Sequence, residues 1–116
     1  MTRQARGRHA EQRARLFLEG QGLCLLKSNY RCRAGEIDLI MRDGESLVFV
    51  EVRLRSHPGF GGALMSVDRS KRARLIACAQ HYLQTSRSTR AARFDVIAIE
   101  ADARLDWMRN AFDATD

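Results

Sequence analysis

The first segment of the chain has the spacing of polar and apolar residues that is typical of an amphipathic helix. From Arg8 to Gly20, apolar side chains recur three or four positions apart, and Gly20 and Gly22 favour a stop. We therefore predict a helix over residues 8–20, with loose ends at the first six or so residues and the last few. The apolar positions of this helix are Ala10, Ala14, Phe17 and Leu18.

Three runs typical of strands follow this helix. Leu23–Tyr30 is short and apolar, Glu36–Met41 alternates between polar and apolar residues, and Leu47–Leu54 is rich in β-branched residues. Asp43-Gly44 is a turn signal, so the last two runs are predicted to form a hairpin. The segment 55–62 contains the single proline and three glycines, which predicts a mobile loop.

The rest of the chain predicts a second helix and further strands. Apolar positions follow helical spacing from about Val67 to Leu83. Phe94–Ile99 predicts a fourth strand, and a short run over Leu105–Met108 predicts a fifth. The order α-β-β-β-α-β favours an α/β fold in which helices flank a mixed central sheet. The apolar stripe of the second helix, with Lys71 as its one charge, is Val67, Lys71, Leu75, Cys78, Ala79 and Tyr82.

Composition limits the class of protein. A chain of 116 residues that is 45% hydrophobic and 29% charged predicts one domain, residues 1–116, with its own core. No apolar run approaches the roughly 20 residues that cross a bilayer, so we expect a soluble, cytoplasmic protein. The three cysteines form no C-x-x-C pair and the three histidines have no metal-ligand spacing, which predicts reduced thiols and no histidine-built zinc site.

The net charge indicates a polyanionic partner. The formal charge is +6, and lysine occurs only at Lys27 and Lys71, so 18 of the 20 basic residues are arginines. Because the guanidinium group matches phosphate geometry with two hydrogen bonds, nucleic acid is the expected partner. The alternative is that the arginines form a solvated surface and reflect a GC-rich genome.

Acidic residues line one face of the second predicted strand. With a side-chain period of two, Glu36 and Asp38 lie on one face, while Ile37, Leu39 and Met41 lie on the other. Two carboxylates are therefore expected side by side on a strand whose opposite face is apolar.

The third strand adds a charged pair, Glu51 and Arg53, on one face. A loop over residues 43–46 places Asp38 opposite Glu51 and Glu36 opposite Arg53, whereas a two-residue turn makes the relation between Asp38 and Glu51 diagonal. Facing carboxylates repel unless a cation lies between them, and a divalent ion with oxygen ligands, such as Mg²⁺, is the simplest one. The alternative is a solvated ladder of cross-strand salt bridges.

Several segments of the chain form a specific combination. They are Gly7, Ala10-Glu11, Asn29-Tyr30-Arg31, Gly35–Ile40, Phe49–Arg55, Phe60-Gly61, Lys71 and Arg93–Val96. With an acid on the first helix, an acid in the second strand and Glu-x-Arg in the third, the chain resembles the nuclease core written PD-(D/E)-x-K, which occurs in restriction-endonuclease-like folds. More closely, and over nearly its whole length, it resembles the YraN family of predicted bacterial endonucleases, which is similar to archaeal Holliday-junction resolvases.

The resemblance implies a role for each acid. Glu11 corresponds to the helical acid of the resolvases, and Asp38 and Glu51 correspond to the acids that bind Mg²⁺ or Mn²⁺. In such sites the metal lowers the pKa of a bound water, which attacks the phosphodiester. For Glu11 an alternative is an ion pair with Arg15, four residues further along the helix.

The chain departs from the nuclease pattern at Arg53, which stands where the motif has lysine. A guanidinium group stabilises negative charge but cannot serve as a base near neutral pH. Lys71 is a candidate substitute, because its amine could reach over the sheet toward Asp38 and Glu51. The alternative is that the stem of Lys71 packs and its amine extends to solvent.

The predicted function is a Mg²⁺-dependent endonuclease that acts on DNA, with branched or flapped DNA as the expected substrate. One alternative is a catalytically weak or inactive nucleic-acid binding module, and another is a subunit that binds an acidic protein. Analogy with the resolvases predicts a homodimer. The arginines expected to contact phosphates are Arg8, Arg13, Arg15, Arg31, Arg33, Arg55, Arg69, Arg72 and Arg74.

Overall fold

In the described residues, a five-stranded mixed sheet flanked by two helices forms the fold. The computed structural model describes residues 2–55, 67–100 and 104–114. Its elements are α1 Arg3–Gly20, β1 Cys24–Cys32, β2 Gly35–Asp43, β3 Ser46–Arg55, α2 Arg69–Ser86, β4 Ala92–Glu100 and β5 Leu105–Phe112. The predicted α/β class and element order are confirmed, and the architecture is compatible with a restriction-endonuclease-like core. Of the predicted loop over 55–62, residues 56–62, with Phe60 and Gly61, lie outside the described residues.

The strands follow one another across the sheet in chain order, β1-β2-β3-β4-β5. The pair β3 and β4 is parallel, and the other three neighbouring pairs are antiparallel. Since parallel neighbours need a long crossover, the chain passes through α2 between β3 and β4. This crossover places α2 on one face of the sheet.

A tight turn joins β2 to β3. Asp43 lies opposite Ser46, so the turn is formed by Gly44 and Glu45. Gly44 has a φ of 59°, which glycine adopts without steric cost. The register is the one predicted for a loop over 43–46, although the turn has two residues. The diagonal relation between Asp38 and Glu51 that was predicted for a two-residue turn is wrong. That prediction assumed a turn at Asp43-Gly44, whereas the turn is at Gly44-Glu45.

Each face of the sheet carries its own apolar cluster. On the α1 face, Ala14 and Leu18 pack against Val48 and Val50 of β3. On the α2 face, Leu75, Cys78 and Ala79 pack with Phe49 and Phe94 among other residues. The alternation predicted for β3 is thus confirmed.

The predicted sheet face of Ile37 on β2 is wrong. Leu39 and Met41 belong to the α1 cluster, but Ile37 belongs to the α2 cluster. The side-chain alternation of β2 is therefore interrupted at Asp38. The register of β1 against β2 sets Asn29 opposite this point, and Asn29 has a φ of 53°, which regular strands do not adopt.

Both helices begin at a side-chain cap. Thr2 Oγ1 accepts a hydrogen bond from the backbone N–H of Ala5 at 3.0 Å, so α1 begins at Arg3. The prediction of six loose residues at the start is therefore wrong. Asp68 Oδ1 accepts from the backbone N–H of Lys71 at 2.8 Å, which fixes the first turn of α2.

Neither helix of the described chain is long and apolar enough to cross a membrane.

Candidate functional site

Asp38 and Glu51 lie where β2 and β3 stop pairing. The antiparallel ladder runs from Asp43 and Ser46 to Leu39 and Val50. Just beyond the last pair, the backbone N–H of Val52 donates a hydrogen bond to Asp38 Oδ2 at 2.8 Å, where a regular ladder would have a backbone carbonyl as acceptor. This contact holds Asp38 beside Glu51, as the predicted register requires.

The Asp38 carboxyl group is held in an environment that disfavours its charge. Burial, then the hydrogen bond to Glu51 and the charge of Glu51, raise the pKa of Asp38 to about 9, against a smaller opposing effect of the Val52 N–H. Without a bound metal ion, Asp38 is therefore protonated at neutral pH. A divalent cation would remove this penalty.

Glu51 is almost fully buried, and its neighbour in α2 is a lysine. The Glu51 side chain is 3% exposed, and its Oε2 lies 3.0 Å from Lys71 Nζ. The contact is an ion pair, and Oε2 has no hydrogen-bond partner among the described residues. Buried carboxylate oxygens are normally hydrogen-bonded, and an exception calls for an explanation.

Glu11 reaches the same region from α1. Burial, followed by the charge of Glu36, raises the pKa of Glu11, and Glu51 adds a smaller effect in the same direction. Arg15 pairs with Glu19 at 3.5 Å, whereas the predicted alternative paired it with Glu11. The Glu11 carboxyl group therefore interacts electrostatically with Glu36 and Glu51.

Asn29 joins two of the acids and was not among the predicted site residues. Its amide nitrogen faces both carboxylates, because the amide oxygen would otherwise face two acceptors. In this orientation it donates to Glu11 Oε1 at 2.9 Å and to Glu36 Oε1 at 3.0 Å. The sequence offered one weak signal, an asparagine inside a predicted strand, where this residue is uncommon.

Arg53 lies on β3 two residues beyond Glu51 and is partly buried. In the register with β4 it stands opposite Ala98. The ladder of β2 and β3 ends before Glu36, which lies opposite Arg31 with 3.6 Å between its Oε1 and Arg31 Nε. The predicted cross-strand pair of Glu36 and Arg53 is therefore absent from this described ladder, because the two strands stop pairing at Leu39.

The predicted phosphate contacts fall into two groups. Most of the arginines whose side chains are described are exposed, and Arg74 lines a cleft beside Asp38. Arg72 is engaged inside the fold, since its Nε donates to the Val67 carbonyl at 2.8 Å and its guanidinium lies over the Phe112 ring. The Arg55 side chain lies outside the described residues. The exposed ones are Arg8, Arg13, Arg15, Arg31, Arg33, Arg69 and Arg74.

The two central acids fit a hard divalent cation. Mg²⁺ is commonly held by one or two carboxylates, with water and substrate phosphate as its other ligands. Asp38 and Glu51 supply two such groups, one of them with an oxygen that lacks a hydrogen bond. Within the described ranges, no group of three or more histidine, cysteine or acidic side chains is arranged to hold a metal on its own. Two carboxylates would leave the other coordination positions of such an ion to water or another ligand.

Comparison with known proteins identifies the family. The family model described as "Uncharacterised protein family UPF0102" matches residues 10–99. The chain is 56% identical over 110 residues to a UPF0102 protein of Alkalilimnicola ehrlichii, covering 93% of this chain and 86% of that one. It is 50% identical over 119 residues to a UPF0102 protein of Pseudomonas syringae, covering 97% of each. The matched region includes Glu11, Asn29, Asp38, Glu51 and Lys71, and the chain belongs to the UPF0102 family.

Proposed function

We propose that this protein is a divalent-metal-dependent endonuclease of the YraN type that cuts DNA. The observation that carries the proposal is the pair Asp38 and Glu51, adjacent, largely buried and incompletely hydrogen-bonded, with the Lys71 ammonium group 3.0 Å from Glu51. An acid pair of this kind destabilises the metal-free fold, which is typical of a site kept for chemistry.

Each residue of the candidate site has a role in this proposal. Asp38 and Glu51 hold the ion, and the Val52 N–H orients the Asp38 carboxylate. Glu11, positioned by Asn29, adds negative charge on the α1 side and accepts a hydrogen bond from water. When bound, a divalent cation makes water more acidic and neutralises charge on the phosphodiester.

Arg53 and Lys71 supply fixed positive charge near the reacting phosphate. Arg53 stabilises charge that develops in the transition state, but it stays protonated and accepts no proton. Lys71, from α2, is a cation within reach of Glu51. An arginine at the motif position is therefore compatible with catalysis only if proton transfer takes place elsewhere in the site.

Two clefts beside the acids offer room for the nucleic-acid backbone. One, of about 180 Å³, lies on the α1 side and includes Arg8, Glu11 and Arg15 in its lining. The other, of about 210 Å³, lies on the α2 side and includes Lys71 and Arg74. Basic groups on both sides of an acidic centre suit a strand whose phosphates cross it, and they contact phosphates without reading bases.

The direct test is cleavage of labelled four-way junctions, flaps and linear duplexes with Mg²⁺, with Mn²⁺ and with EDTA. Cleavage that needs the metal and is lost in Glu51→Gln supports the proposal. Cleavage by neither metal on any substrate, with a folded protein, would overturn it.

DNA binding is tested separately by its salt dependence. Affinity should fall steeply between about 50 and 200 mM salt, and Arg74→Ala should lower the log–log slope by about 0.9. Arg90→Ala is the matched control, because Arg90 pairs with Glu45 in the β2–β3 turn, at the other end of these strands. A salt response that is flat would favour an acidic protein partner.

The second candidate is a nucleic-acid binding module without catalysis. The observation that favours it is Arg53 at the lysine position, together with a Lys71 amine engaged by Glu51. Metal-independent DNA binding without cleavage would support this module. The homodimer and the cytoplasmic location stay predictions, which sedimentation and cell fractionation test.

A further inference from the structure

The amine of Lys71 lies on the boundary between a buried carboxylate and an open cleft. Its side chain is 34% exposed, whereas its partner Glu51 is 3% exposed. The backbone of Lys71 is fixed, because its N–H donates to the Asp68 cap of α2. The four-carbon stem is therefore the part of this residue that is able to move.

The contact between Lys71 and Glu51 is electrostatic and replaceable. The two atoms are 3.0 Å apart, yet Glu51 Oε2 has no hydrogen-bond partner among the described residues. A monovalent ammonium group held only by charge competes poorly with a divalent ion for an acid pair. Lys71 and a metal ion would also repel each other at this distance.

The cleft next to Lys71 offers its amine an alternative position. The cleft has a volume of about 210 Å³, and Arg74 lines it one helical turn after Lys71 on the same face of α2. Glu36 and Asp38 line the side toward β2. An amine released from Glu51 would enter this cleft close to the Arg74 guanidinium, and two cations so placed suit a phosphate group.

We propose that Lys71 is the resident cation of the acid pair and that a divalent ion displaces it into this cleft, where Lys71 and Arg74 bind a phosphate of the substrate. This inference rests on the proposed function for the identity of the metal and the substrate. It adds a binding order, in which the metal binds first and thereby creates the phosphate subsite. Metal and phosphodiester should therefore each tighten the binding of the other.

The chain is suited to a direct test, because Lys27 and Lys71 are its only lysines. In protein labelled with ¹³C at the lysine ε carbon, NMR shows two sets of signals, and Lys27→Met identifies which is which. Saturating Mg²⁺ should shift the Lys71 signals and leave those of Lys27, an exposed residue over the Tyr30 ring, unchanged. Lys71 signals that do not move while calorimetry shows bound Mg²⁺ would overturn this inference and leave the proposed function standing.

Affinity measurements give the second arm. Lys71→Met should bind Mn²⁺ about tenfold more tightly, since a competing charge is removed, and Lys27→Met should bind it as the unchanged protein does. Ca²⁺ should tighten the binding of a single-stranded oligonucleotide, and Lys71→Met should abolish this gain. Unchanged or weaker Mn²⁺ affinity in folded Lys71→Met, or a Ca²⁺ effect that survives in it, would contradict the displacement. If no divalent ion binds the unchanged protein, both proposals fail.

Discussion

Two buried carboxylates in this molecule differ in how their oxygens are satisfied. Asp95 on β4 accepts two hydrogen bonds from Arg93, at 3.0 and 3.2 Å, one from Trp107 Nε1 at 2.9 Å and one from the Asn110 N–H at 2.9 Å. Glu51, on the neighbouring strand and equally buried, has one oxygen without any hydrogen bond among the described residues. The same kind of group thus has two opposite environments within one sheet.

The difference separates a structural acid from a functional one. The charge of Asp95 is fully compensated, and its contacts join β4 to β5 at the point where their register shifts. The charges of Asp38 and Glu51 are compensated by one lysine and by the protonation of Asp38. Replacing an acid of the first kind should destabilise the fold, whereas replacing one of the second kind should impair ligand binding.

The largest expected effect is on stability. Asp95→Ala leaves the partly buried Arg93 without its main partner and should lower the free energy of unfolding by about 3–5 kcal/mol. Asp43→Ala is the matched control, because the more exposed Asp43 contacts Arg93 at 3.0 Å and should cost about 1 kcal/mol. Urea unfolding measures both. Equal losses in the two variants would remove the distinction drawn for Asp95.

The next effect is on metal binding. Asp38→Asn and Glu51→Gln should each weaken Mn²⁺ binding by roughly 100-fold or more, about 2.8 kcal/mol, since each removes one charged ligand. In EDTA both variants should be as stable as the unchanged protein or more stable, because Asp38→Asn removes the cost of protonating a buried carboxyl group and Glu51→Gln removes a buried charge. Glu19→Gln, at an exposed ion pair of α1, controls for the loss of one charge. Unchanged Mn²⁺ affinity in both site variants would contradict the assignment.

A smaller effect per pH unit is expected in the dependence of stability on pH. The pKa of Asp38 is about 9 in the folded protein and near 3.8 when unfolded, so the folded state binds more protons between these values. The contribution of Asp38 to stability is therefore complete below about pH 4 and is lost as pH rises toward 9, by at most about 1.4 kcal/mol per pH unit. Asp38→Asn should flatten this slope in metal-free buffer. A slope identical in the two proteins would show that Asp38 titrates normally.

The smallest effect concerns the departure at Arg53. If the protein is an active nuclease, Arg53→Lys should keep or raise cleavage, and Arg53→Ala should lower it about tenfold through loss of fixed charge. Lys71→Ala should lower cleavage if its amine acts at the phosphate. Single-turnover rates on one junction measure all three. Failure of Arg53→Lys to cut any branched substrate, when the unchanged protein also cuts none, would favour the binding module.

The fold followed from the sequence because its signals are local. Apolar spacing predicted both helices and the strands, and Gly44 allowed the turn that sets the register of β2 and β3. The start of α1 was missed because the Thr2 cap extends the helix beyond its apolar stripe. A pattern of apolar positions carries no information about such a cap.

The candidate site was predictable in part. The parity of β3 and the stripe of α2 brought Glu51 and Lys71 within reach of each other, and the structure places them 3.0 Å apart. The role of Asn29 and the sheet face of Ile37 were not predictable. Both depend on a local distortion of β1 and β2 at Asn29 and Asp38. The internal engagement of Arg72 also needed the tertiary contacts of the Phe112 ring.

The central claim, that the acid pair Asp38 and Glu51 binds a divalent cation, is tested most directly by counting protons. Calorimetric titration with Mn²⁺ near pH 7.5, in two buffers of different ionisation enthalpy, should show release of about one proton per bound ion, because Asp38 must ionise to become a ligand. Asp38→Asn should abolish that release. Absence of Mn²⁺ binding, or binding without proton release in the unchanged protein, would contradict the account.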